Sequence, residues 1–146
     1  MSVAEIRDDL PRSPEASEFP QALTAMERVE ERLQEAESQA QWTVGDAVLQ
    51  DIPIQPTGVK DGSHERLKRL AGLAESRGYR RYNVTYLRRL RLVSSRFPGV
   101  RRRTPYAWTI HEEAGTPEIL DEIISRAEAE AVPVTCRYAR ATKPPD

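Results

Sequence analysis

The stretch from His64 to Arg103 constrains this chain more than any other. Gly78 divides it into two segments of helical apolar periodicity, and arginines crowd the second. In the first segment Leu67, Leu70, Ala71 and Ala74 recur at the threes and fours of one helix face, and Leu73 widens that face. Ser63 has the chemistry of an N-cap, although Arg66 stands where a capping box would place Glu. Gly78 follows the last periodic residue, where a left-handed conformation ends a helix at little cost. In the second segment, from about Tyr82 to Arg96, Val84, Leu87, Leu90 (or Tyr86) and Val93 repeat the pattern, and Pro98 and Gly99 stop it.

The spacing between the two segments is that of a helix-turn-helix at 64–97. Ala74 is the small residue that admits the second helix. Gly78 makes the turn, Val84 and Leu87 pack back, and Leu73 and Tyr79 flank the contact. Arg77 occupies a place where an apolar residue is more usual. Charge separates this pair from an ordinary helical hairpin. Residues 60–110 carry 14 Lys and Arg against 3 Asp and Glu. Residues 1–59 carry 4 against 12, and residues 104–146 carry 4 against 8. A whole-chain net charge of −1 therefore hides a strongly basic centre. Surfaces ordinarily mix signs, and Arg80, Arg81, Arg88, Arg89, Arg91, Arg96, Arg101, Arg102 and Arg103 have no acid among them in sequence. Such like charge repels itself, and a phosphate backbone is the commonest polyanion that relieves it.

The sequence on either side predicts further helices and no membrane span. Residues 1–20 are acidic, hold three prolines and are expected to be a disordered tail. They do not resemble a signal peptide, so the expected location is the cytoplasm, on the nucleoid. Residues 21–41 form an amphipathic helix, with Thr24 and Glu27 at capping-box spacing. Met26, Val29, Leu33 and Ala36 repeat as a seam of about two heptads, a candidate dimerisation surface. Thr43 is expected to cap a separate short helix after it, with Trp42 in the core. Thr104 with Pro105, and Thr116 with Pro117, have the pattern of two more helix starts. Ile119, Leu120, Ile123, Ile124 and Ala127 face the core from the second of these. Residues 132–141 are compatible with a last helix or a strand. The expectation is an all-α, multi-helix domain over 42–142, carrying the helix-turn-helix, with the amphipathic helix and tail before it.

Catalytic chemistry has no visible carrier. No nucleophile stands beside a base, no glycine-rich loop cradles phosphate, and one cysteine excludes an internal disulfide framework. His64 and His111 are isolated, with the pattern of packing or capping residues and not of metal ligands. No cofactor, metal, small-molecule substrate or enzyme activity is expected. Double-stranded DNA is the expected partner, together with a second copy of the chain. In a helix-turn-helix, bases are read from the start of the second helix. That assigns base contacts to Arg80, Arg81, Tyr82, Asn83, Thr85, Tyr86 and Arg89. Arginine can grip guanine at two atoms and asparagine can do the same with adenine. Lys68, Arg69, Arg88, Arg96, Arg101, Arg102 and Arg103 are assigned to phosphates, which set register. Two other uses fit the same patch. Tyr79, Tyr82 and Tyr86 beside arginines could stack the bases of RNA or a single strand. An acidic protein could also dock there, which would make the chain an adaptor.

The order of landmarks resembles a known group. Trp42-x-x-Gly45-Asp46-x-x-Leu49 precedes a helix ending Leu73-Ala74-x-x-x-Gly78. Leu87, Val93, Arg96-Phe97-Pro98, Arg102, Trp108-x-x-His111 and a last helix pair follow. Over residues 41–140 this is similar to helix-turn-helix proteins of actinobacterial plasmids, phages and integrative elements, the RacO-like family among them. More distantly it resembles the central DNA-binding domain of ParB and KorB. The resemblance implies regulation of transcription, or of replication, partition or transfer of a mobile element. The nucleotide-binding motif of ParB has no counterpart here.

Overall fold

The structure is a computed structural model that describes residues 18–56 and 62–144. The expected acidic tail lies outside the described residues up to 17. Every regular element among the described residues is helical. In chain order these are α1 (Pro20–Asp51), α2 (Ser63–Ser76), α3 (Val84–Arg96), a single 3-10 turn (Gly99–Arg101), α4 (Trp108–Ala114), α5 (Pro117–Glu130) and α6 (Cys136–Thr142). The chain divides between Glu37 and Ser38 into two units. In the first, α1 is exposed at every residue from 20 to 37. The second contains every buried residue among those described.

That core has two parts, and α3 belongs to both. Val48, Ile52, Leu67 and Leu87 gather α1, α2 and α3 into the smaller cluster. Trp42, Leu90, Val93, Phe97, Trp108, Ile110, Leu120, Ile123, Ile124 and Ala139 form the larger one, with α4, α5 and α6 around it. The close approach of α1 to α3 depends on Gly45. A Cβ built there would lie 2.5 Å from Ser94 Oγ and 2.7 Å from the Leu90 carbonyl oxygen, so only glycine fits without displacement.

At the centre of the larger cluster is His111, 1% exposed, with its ring edge-on to Trp42 and Phe97 at 5.0 Å each. Its Nε2 accepts from the Arg103 amide at 3.0 Å. Its Nδ1 lies 2.9 Å from the Ala107 carbonyl, which only a donor can satisfy. These partners fix a neutral ring protonated at Nδ1. Burial pushes the histidine pKa down. The histidine thus packs a core and ties a loop.

Several local boundaries differ from the sequence reading. The amphipathic helix does not end near residue 41. It continues to Asp51 as one helix, because Trp42, Gly45 and Val48 keep one buried face in step. Thr43 is therefore mid-helix, its hydroxyl accepting from Gln39 at 3.4 Å, and Thr24 lies four residues inside a helix that begins at Pro20. Gly62, at φ 72°, precedes α2 in place of Ser63, whose hydroxyl accepts a hydrogen bond from Arg91. Leu73 is 60% exposed and does not widen the buried face. Thr104 and Pro105 form a turn. Helix α4 begins at Trp108, whose amide finds its acceptor on another helix, at Ser38 Oγ, 3.0 Å away. Thr116 does cap α5, with Pro117 in the first turn, and Thr135 caps α6, which resolves the open choice of helix or strand over residues 132–141.

Candidate nucleic-acid interface

The turn between α2 and α3 closes as the glycine dictates. Gly78 has φ 87°. Its amide bonds to the Glu75 carbonyl, and the Tyr79 amide reaches back to Ala74, which satisfies the last carbonyls of α2. Arg80 and Arg81 lie exposed in the link. Helix α3 starts at Val84 and not at Tyr82, because Asn83 caps it: Oδ1 accepts from the Tyr86 amide at 2.9 Å.

Helix α3 is held on two sides by the two core clusters, which leaves one stripe to solvent. Thr85, Arg88, Arg89, Leu92 and Arg96 make that stripe, at helical spacing. At its N-terminal end Arg81, Asn83, Thr85, Tyr86 and Arg89 line one open depression of about 480 Å³. Five of the seven residues assigned to base contacts are thus brought together. The sixth, Arg80, is exposed beside them in the chain. The seventh, Tyr82, is half-buried and stacks on Tyr86 at 6.0 Å between centroids.

The arginines of the depression are held in place. Arg81 lies 5.4 Å over the Tyr82 ring and 5.7 Å over Tyr86. Arg89 lies 5.6 Å from Tyr86 and 5.7 Å from Trp108. Its Nε and Nη2 donate to the two oxygens of Glu112 at 2.6 and 2.7 Å. That pair raises the arginine pKa. Tyr86 is anchored too, since its hydroxyl accepts from Gln41 at 3.1 Å.

Outside the depression the basic residues divide sharply. Lys68, Arg69, Arg77, Arg80, Arg88 and Arg96 are exposed and form no ion pair with a carboxylate among the described residues. Arg88 instead donates to His64 Nδ1 at 3.0 Å. The three arginines after α3 have acids beside them. Arg102 bonds both oxygens of Asp46 at 2.9 and 2.6 Å, donates to the Phe97 carbonyl, and lies 4.0 Å over the Trp42 ring. The Arg102 guanidinium holds the Asp46 carboxyl below the usual carboxylate range. Arg103 meets Asp121 at 2.6 Å, and Arg101 lies within 3.6 Å of Glu118 and 3.5 Å of Asp121. The sequence treats this triplet as uncompensated because its acids are distant in the chain.

Arg91 was invisible to the same reasoning. It is 8% exposed and turned inward from α3. Nε donates to the Ile52 carbonyl at 2.6 Å, and Nη2 donates to Pro53 at 2.8 Å and to Ser63 Oγ at 2.9 Å. One guanidinium therefore joins the end of α1 to the start of α2. Its position two after Arg89, on the opposite side of the helix, is the signal that could have found it.

Among the described residues no helix is long and apolar enough to cross a membrane, and no three His, Cys, Asp or Glu side chains gather where they could hold a metal ion. No family model, curated protein or solved structure matches the chain.

Proposed function

We propose that residues 38–144 bind double-stranded DNA sequence-specifically, with α3 as the reading helix, and that the protein regulates transcription or the maintenance of a mobile element. The observation that carries this reading is the N-terminal end of α3. Arg81, Asn83, Thr85, Tyr86 and Arg89 share one open surface there, and the arginines that flank it, Arg80 and Arg88, form no ion pair with a described carboxylate. A helix presented end-first, with donors at its tip and cations around it, fits the major groove.

The Arg89–Glu112 pair fits that role. Glu112 occupies the Nε–Nη2 edge of the guanidinium, and a guanidinium has five N–H donors in a planar fork. The Nη1–Nη2 edge also presents two parallel donors, which can meet guanine O6 and N7. A carboxylate behind the group and two rings beside it hold that edge in one orientation, which lowers the entropy lost on binding. Lys68, Arg69, Arg88 and Arg96 are the phosphate-contact residues of this reading. Arg101, Arg102 and Arg103 serve the fold first, since contact with phosphate would cost them bonds to Asp46, Glu118 and Asp121.

Repeated selection from a random duplex library, followed by titration of the enriched sequence, tests the proposal. The expected result is one enriched motif containing guanine, bound at least about 10³-fold more tightly than random duplex. Enrichment of single-stranded or RNA ligands over duplex in a parallel selection would transfer the surface to the base-stacking alternative. Failure of every nucleic acid to bind would refute both.

A further inference from the structure

The first half of α1 and the residue before it carry an exposed apolar stripe. Phe19, which immediately precedes α1, and Met26, Val29 and Leu33 within it are 54%, 61%, 48% and 58% exposed. Phe19, Met26 and Leu33 recur at sevens, and Ala22, Val29 and Ala36 occupy the intermediate positions, so the stripe has the a and d spacing of a two-helix seam. Several large apolar side chains in a row on a charged helix mark an interface.

We propose that this stripe pairs with the same stripe of a second copy of the chain, parallel and in register. The flanking charges argue for a copy of itself. With Met26 at an a position, Arg32 falls at g and Glu37 at e. A parallel pair sets Arg32 of each copy against Glu37 of the other, and it opposes no like charges. An antiparallel pair with full overlap sets Arg32 against Ala25 and Glu30 against Leu23, which gains no ion pair. Shifting that arrangement by one heptad in one direction sets Arg32 against Arg32 and Glu30 against Glu30; shifting it in the other pairs Arg32 with Glu18 but leaves Leu33 and Ala36 outside the seam. Such flanking pairs decide orientation and partner more than affinity. Ala22 and Ala36 let the backbones approach closely in their layers.

Parallel pairing has a consequence that rests on the DNA-binding reading. Chain connectivity delivers residues 38–144 of both copies from the same end of the seam, which suits a site with two-fold symmetry. The pairing itself needs no DNA, so its test is kept separate.

The test uses the full chain with Cys136→Ser and Ala36→Cys, under mild oxidation at micromolar concentration and without DNA. In a parallel pair the two introduced thiols face each other at a spacing a disulfide spans. In an antiparallel pair they lie at opposite ends of the seam. A covalent dimer is expected, and Leu33→Glu should reduce its yield about tenfold or more. Arg32→Glu should weaken it, and adding Glu37→Arg should restore it. Sedimentation of the unsubstituted chain as a monomer would overturn the proposal. So would a sedimenting dimer that forms no disulfide, or a disulfide that survives Leu33→Glu. Leu33 is exposed in the single chain, so unchanged helical circular dichroism will show that the variant remains folded.

Discussion

Arg88 and Arg96 on α3 and the Arg101–Arg103 triplet just beyond it carry the same charge in the same short stretch of sequence, and the fold treats them oppositely. The α3 pair points to solvent, and Arg88 donates to His64. The triplet is taken up by acids from α1 and α5, and Arg102 is additionally bonded to a backbone carbonyl and laid on Trp42. A run of basic residues is therefore two things at once: a cationic surface where helix geometry turns it outward, and structural mortar where a distant carboxylate reaches it. Arg91, in the middle of the run, is structural too, but backbone carbonyls and a serine hydroxyl hold it.

The largest expected effect tests the inward side of that division. Arg91→Ala removes three charge-assisted hydrogen bonds from a buried site and leaves the Ile52 carbonyl without that donor. A loss of about 3 kcal/mol is expected by urea unfolding. Arg88→Ala, on the outward side, should stay within about 0.5 kcal/mol of the unsubstituted chain. Equal effects from the two would erase the distinction. Next in size is Gly45→Ala. Its new Cβ would meet the Leu90 carbonyl oxygen at 2.7 Å, and backbone cannot swing away as a side chain can. Overpacking there should cost about 2 kcal/mol. It should also shift α3 relative to α1, so affinity for the selected DNA site should fall beyond what unfolding explains.

Arg89 has features of both kinds: it is acid-paired and yet lies in the depression. If Glu112 orients it for reading, Arg89→Ala should lower affinity for the selected site by about 1–3 kcal/mol while leaving random duplex little changed. Glu112→Gln keeps one hydrogen-bond acceptor and should cost less, with the same selectivity. If Arg89 is instead mortar like Arg102, both variants would lose stability and keep specificity. Fluorescence anisotropy on matched and scrambled duplexes, alongside urea unfolding, separates these outcomes.

The triplet side should also respond to pH through His111. Its folded-state pKa is depressed below 6.5, chiefly by burial, with the Arg102 and Arg103 charges adding to the effect. Above pH 6.5 the ring is neutral in both states, and its contribution to stability is fully present. As pH falls through 6.5, the unfolded chain takes up a proton that the folded chain does not, so stability declines towards the folded pKa. The slope cannot exceed about 1.4 kcal/mol per pH unit for one proton. Unfolding midpoints measured from about pH 7.5 to 5.5 should show the decline, and His111→Gln, less stable throughout, should show a flatter profile. A midpoint independent of pH over that range would mean that the ring is not held neutral by burial. The depressed Asp46 carboxyl acts in a lower window, where stability falls as pH drops below 3.8.

Much of this was legible in the chain. The helical content, the Gly78 turn, the α3 core residues Leu87, Leu90 and Val93, and the Thr116 cap follow from local periodicity and capping chemistry. The depression was foreshadowed because the start of a second helix is a position, and positions survive folding. What escaped was non-local. The Asp46–Arg102 pair spans 56 residues, and the Ser38 hydroxyl that serves the Trp108 amide is 70 residues away. Periodicity registers neither. The continuity of α1 escapes for another reason: the sequence shows two successive amphipathic patterns, which read as two helices although no proline or glycine turn separates them.

The smallest expected effect addresses the outward side directly, through salt. Each phosphate neutralised by a cation releases condensed counterions, so its loss reduces the slope of log affinity against log salt by about 0.9. Arg88→Ala and Arg96→Ala should each reduce the slope by about one unit, for selected and random duplex alike. Arg103→Ala should leave it nearly unchanged, because Asp121 already balances that charge at 2.6 Å. If Arg103→Ala reduces the slope as much as Arg88→Ala, the acid is displaced on binding, and an ion pair in the free protein says nothing about contact in the complex. If neither changes the slope, the exposed cations of α3 do not meet phosphate, and the reading helix loses the positioning that makes base recognition physically plausible.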